Sequence, residues 1–115
     1  MSTRAVIVLR DYSQHELRFY KHGDGGPSDT LPTLEKFLDW VETRRIRSNL
    51  QQAAGWLVIL GNTELGGFRE PNPDDKFMGW KASIFEPMPD YDSGDDARFQ
   101  YIIDLEKKTI EVKGE

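Results

Sequence analysis

Six consecutive residues, Gly23-Asp24-Gly25-Gly26-Pro27-Ser28, break regular secondary structure, so whatever forms before them must end there and a new element must start after. Upstream, Ala5-Val6-Ile7-Val8-Leu9 is an unbroken, largely β-branched run with an arginine at each end, which predicts a strand over 4–9. Leu17, Phe19 and Lys21 alternate with Arg18 and Tyr20, the period-two pattern of a half-exposed strand. Asp11-Tyr12-Ser13-Gln14 between them has turn composition, so the two strands form a hairpin.

Downstream of the break the period changes. Leu34, Phe37, Leu38 and Val41 fall at helical spacing, with Glu35, Lys36, Asp39 and Glu42 opposite. Asp29 and Thr30 are N-cap candidates, and Pro32 suits a first turn. Leu50 to Leu60 is the most apolar stretch, and its alanine spacing, with Gly61 as a stop, predicts a buried helix with Trp56 in the core. A short strand is expected at 82–86, ended by Pro87. Phe99 to Leu105 and Thr109 to Lys113 then make a closing hairpin around Glu106-Lys107-Lys108. The order ββ-αα-βββ predicts one α+β domain over 1–115: an antiparallel sheet from the N- and C-terminal hairpins with two helices packed on one face.

Composition excludes several functions. The chain has no cysteine, so disulfide scaffolds, thiolate metal sites and cysteine nucleophiles are ruled out. No apolar run approaches the roughly 20 residues of a membrane helix, and the N-terminal apolar stretch is short for a signal peptide. A cytoplasmic protein without membrane contact is expected. The net charge is −5, and residues 64–96 hold nine acids against three bases, which argues against nonspecific nucleic-acid binding. The exception is Arg44-Arg45-Ile46-Arg47, placed at a helix end. It reads either as a partner of the helix dipole or as a contact for a polyanion or an acidic protein.

The glycine segment is the first candidate site. Consecutive glycines, Gly25 and Gly26, let backbone N–H groups converge on a phosphate or nucleotide shortly before a helix, with His22 and Asp24 as polar contacts. The spacing matches no phosphate-binding fingerprint, and the alternative is a tight turn needing positive φ at several positions. The chain has only two histidines and no metal-ligand spacing, so no metal or cofactor is expected. An EF-hand loop starting at Asp90 fails at its sixth and twelfth positions, which are Asp95 and Tyr101. No serine sits in a nucleophile setting, so no catalytic residue and no enzyme is proposed. The second candidate is an interface in which Asp90, Asp92, Asp95 and Asp96 steer a basic partner and Phe77, Trp80 and Tyr91 anchor it.

The segment Tyr20-Lys21-His22-Gly23-Asp24-Gly25-Gly26-Pro27 resembles the Y-x-H-x-D-G-x-P segment of small uncharacterised proteins of bacteriophages and prophages. The ending Phe99-Gln100-Tyr101-Ile102-Ile103-Asp104-Leu105 with Thr109-Ile110-Glu111-Val112 is similar to their closing hairpin. The resemblance implies a setting, the cytoplasm of a bacterial host, and transfers no catalytic residue. The expectation is a non-enzymatic accessory protein that binds and modulates a host protein, such as a defence complex, through its acidic surface, with no direct nucleic-acid contact. The alternatives are a small-ligand binder using Gly23 to Pro27, or a self-associating structural component such as a homodimer.

Overall fold

A strand that is apolar on both faces is satisfied only where both faces are covered, and β1 (Ala5–Arg10) lies in the middle of the sheet. The structure is a computed structural model that describes residues 3–63, 70–74 and 81–114. Within them the chain runs β1, β2 (Glu16–Lys21), α1 (Pro27–Glu42), α2 (Leu50–Asn62), β3 (Glu86–Pro87), β4 (Phe99–Asp104) and β5 (Thr109–Gly114). The sheet order is β3-β2-β1-β4-β5.

Both hairpins are antiparallel, as their composition predicts, but they meet along a parallel seam. β1 pairs β4 from Ala5↔Phe99 to Arg10↔Asp104, so the α+β sheet is mixed rather than wholly antiparallel. The two hairpin turns therefore lie at the same end of the sheet. Each is organised by an aspartate. Asp11 accepts the N–H groups of Ser13 and His15, and Asp104 accepts those of Glu106 and Lys107, all at 2.9–3.0 Å. Burial opposes ionisation of Asp11, but the His15 and Ser13 donors outweigh it and hold its carboxyl below the usual range.

Ala5, Ile7, Leu9, Phe19, Phe99, Tyr101 and Ile103 point to one face, beneath Leu34, Phe37 and Val41 of α1 and Ala53, Ala54 and Leu57 of α2. Burying a side chain such as Leu34 or Phe37 contributes about 1.5–3 kcal/mol. Val6, Val8 and Ile102 point the other way and meet Met88 and Ala97.

Local details depart from the sequence reading in five places. The N-cap of α1 is Gly26, because Pro27, with its φ already helical, opens the helix. Pro32 thus lies inside α1, on its exposed side. Gly61 is no stop: α2 continues to Asn62, and a Cβ at position 61 would sit 2.8 Å from the Phe85 ring, so the glycine makes room for that ring. Trp56 is not core but 39% exposed, since Ala53, Ala54 and Leu57 are the buried residues of α2, with Leu50, Val58 and Leu60 packed partly against the same core. The short strand is Glu86–Pro87, pairing Phe19↔Pro87 and Tyr20↔Glu86 at the sheet edge, where a proline costs no ladder bond on its outer side.

Candidate functional site

At one end of the sheet the glycine segment is knitted into the fold. Gly23 N–H donates to the Ala82 carbonyl and Gly25 N–H to the Thr3 carbonyl, both at 2.9 Å. The Gly25 carbonyl accepts the Tyr101 hydroxyl at 2.6 Å. A Cβ on Gly25 would lie 2.7 Å from both Ala5 Cβ and the Thr3 oxygen, so close approach demands this glycine. The positive φ expected of several glycines falls instead on Asp24, at 57°. Beneath the segment, the buried Lys21 ammonium donates to Thr30 Oγ1 at 3.1 Å and lies 5.5 Å from the centre of the Phe85 ring, while the Thr30 hydroxyl donates to the Asp24 carbonyl at 2.9 Å. Desolvation pushes Lys21 below its ordinary pKa, with Asp24 and Asp29 opposing. Burial raises Tyr101.

The concavity beside this segment, about 450 Å³, is lined by Gly23, Asp24, Gly26, Asp29, Arg98 and Phe99 among others. Two carboxylates on its wall against one guanidinium, and two N–H groups already bonded within the chain, leave a poor cradle for an anion. His22 is not on that wall. Its Nδ1 lies 2.8 Å from the Tyr20 hydroxyl, so the fold does not bring His22 together with Asp24, Gly25 and Gly26 around one cavity.

The acidic candidate residues lie on the sheet face away from the helices. Residues 88–97 cross that face as a strap, and Gly94, at φ +69°, presses on Val6 so closely that a Cβ would come within 2.7 Å of Val6 Cγ2. Arg18 donates to the Asp92 carbonyl at 2.7 Å and the Ser93 carbonyl at 3.2 Å. Arg4 pairs with Asp96 at 2.7 Å. The Asp92 carboxylate accepts the Gly94 N–H at 3.0 Å. Asp92 and Asp96 are thus occupied in holding the strap. Asp90, Tyr91 and Asp95 are exposed, Tyr91 at 91%, and among the described residues their side chains make no hydrogen bond or ion pair, although the Asp95 N–H donates to Ser93 Oγ at 3.3 Å. Below the strap, Tyr20 is raised by desolvation, with Arg4 opposing and Asp96, Glu86 and Asp92 adding to the shift. Phe77 and Trp80 lie outside the described residues.

The arginine anchors of the strap escaped the sequence reading. Arg18 sits 74 residues from Asp92, and nothing local links them. Among the described residues no cluster of three His, Asp or Glu could hold a metal, and no helix is long and apolar enough to cross a membrane. The fold is α+β with a mixed sheet. No family model, no curated protein and no solved structure matches the chain.

Proposed function

We propose that this is a non-enzymatic binding protein that engages a basic surface of a host protein through the tip of the 88–97 strap. The observation that carries the reading is Tyr91, exposed at 91% on a strap whose base is fixed by Arg18 and Arg4. An aromatic ring held out on a pre-ordered loop loses little entropy on binding, and such rings are frequent energetic anchors. Asp90, next to it in sequence, and Asp95, further along the strap, are both exposed and would speed encounter with a cationic partner. The likeness of the Tyr20 to Pro27 segment and the closing hairpin to phage proteins makes a bacterial protein, in the host cytoplasm, the partner class.

The test is affinity capture from nuclease-treated bacterial lysate, with the captured protein then titrated in purified form. Tyr91→Ala should weaken binding by about 2 kcal/mol or more. Reversing Asp90 and Asp95 to lysine should slow association and remove its salt dependence. These two aspartates are the ones to reverse, because Asp92 and Asp96 hold the strap itself. Unchanged affinity in both variants would rule the strap out as the interface.

A further inference from the structure

The end of the molecule opposite the glycine segment gathers both hairpin turns and the loop between α1 and α2. α1 stops at Thr43, and Arg44, at φ +59°, turns the chain. Arg44, Arg45 and Arg47 from this loop, Lys108 from the β4–β5 turn, and Gln52 and Trp56 from α2 line an open concavity of about 920 Å³. Glu42 is, among the described residues, the one carboxylate residue on the wall of that concavity. Among the described residues, none of the three arginines nor Lys108 is ion-paired. Trp56 is braced edge-on against Trp40, ring centres 6.2 Å apart, yet keeps 39% of its surface in water. An adjoining concavity shares Ser48 and Lys108 and is bounded by Tyr12, which is 74% exposed, and by Asp11 and Glu106.

A helix C-terminus accounts for one nearby cation, since its field fades within a turn. It does not account for four cations without an ion pair lining one concavity with a braced, half-open indole. Like charges lining one concavity and a half-exposed indole beside them both suit one kind of ligand. We infer that this concavity binds a phosphate-bearing nucleobase, with Arg44, Arg45, Arg47 and Lys108 taking phosphate oxygens and Trp56 stacking on the base. Guanidinium forks match phosphate geometry, and a flat base on an aromatic ring is the usual platform for unpaired nucleotides. A duplex keeps its bases inside, so the ligand is a free nucleotide or a single strand. The net charge of −5 does not forbid this, because the cations are concentrated at one corner and at physiological salt charges beyond about 8 Å are screened. The site shares no residue with the strap, so either reading can fail without the other.

The experiment is fluorescence anisotropy of the full chain with a labelled short oligothymidylate, titrated at several salt concentrations. Four phosphate contacts predict a slope of log affinity against log salt of about −3, because each contributes about −0.7 on single strands. Changing Arg44, Arg45 and Arg47 together to alanine should weaken binding at low salt by at least about tenfold and flatten the slope to about −1. Trp56→Ala should cost about fivefold or more while leaving the slope in place, because stacking is not electrostatic. Lys113→Ala, which removes a positive charge from the β5 edge, should leave affinity within about twofold. Competition with thymidine 5′-monophosphate separates the sources. Displacement at comparable concentration identifies a free nucleotide as the ligand, and displacement only by unlabelled oligomer identifies a single strand. Absence of binding at about 50 mM salt would overturn the inference. So would full binding by the triple-arginine variant in which circular dichroism shows a native fold. Equal displacement by polyglutamate, together with indifference to Trp56→Ala, would reduce the site to a general anion contact and overturn it too.

Discussion

On one face of the sheet Ile7, Leu9, Phe19, Tyr101 and Ile103 lie under two helices; on the other Val6, Val8 and Ile102 lie under the strap of residues 88–97. The helical face is held by apolar area, which is non-directional and tolerant of small shifts. The strap face has little apolar area to bury and is held by directed bonds from Arg18 and Arg4, with Gly94 seated against Val6. The first arrangement stabilises the molecule. The second fixes the position of a surface loop, and that is what a binding segment requires.

The sharpest way to break this contrast is Phe37→Ala, which empties a fully buried site under α1 and should cost about 3–5 kcal/mol in urea denaturation. A loss near 1 kcal/mol would mean that the helical face is not the main source of stability. Next in size is Gly94→Ala. The added methyl meets Val6 and the backbone holds φ at +69°, so about 1–3 kcal/mol should be lost. Hydrogen exchange at Met88 and Ala97, whose amides bond to Arg18 and Gly94, should accelerate while the α1 amides stay protected. Equal acceleration everywhere would show that the two faces form one cooperative unit.

Lys21→Met works in the other direction. Folding lowers the pKa of Lys21, so the folded state binds fewer protons between that lowered value and the free value of 10.5. The burial cost is complete below the folded pKa and vanishes as the pH rises to 10.5. The variant should be more stable than the parent by about 1 kcal/mol at pH 7, and its advantage should shrink as the pH approaches 10.5. Tyr20 and Tyr101 have raised values, so their contribution is full below 10.0 and lost at higher pH. The readout is therefore the difference between the two proteins in denaturant melts across this range. A destabilised variant at pH 7 would show that the bonds to Thr30 and Phe85 outweigh burial. The smallest effect is expected for Asp96→Asn, which breaks an exposed ion pair with Arg4 and should cost under about 1 kcal/mol. A larger loss would make that pair, rather than Arg18, the main clamp on the strap.

Local pattern determined much of this protein. The alternation around Phe19, the helical spacing of Leu34, Phe37 and Val41, and the aspartate-bearing turns each encode their element within a few residues, so both hairpins, both helices and the α+β class are legible in the chain. Periodicity says which residues share a face but not what that face will meet. Ala5 to Leu9 reads as a strand, but its parallel pairing with β4 depends on residues more than ninety positions away. Gly25 and Gly61 look like turn and stop signals, yet Ala5 and Phe85 press against them and make any side chain too large. The acidic run reads as uniform, and only the placement of Arg4 and Arg18 separates Asp92 and Asp96, which hold the strap, from Asp90 and Asp95, which face solvent. Likewise Trp56, the natural core residue of its helix by composition, is left half-exposed beside the arginines because smaller side chains, Ala53, Ala54 and Leu57 with Leu50, Val58 and Leu60, occupy the core-facing side of α2. Short-range patterning settled the elements; contacts between distant parts of the chain settled which of their side chains are left exposed.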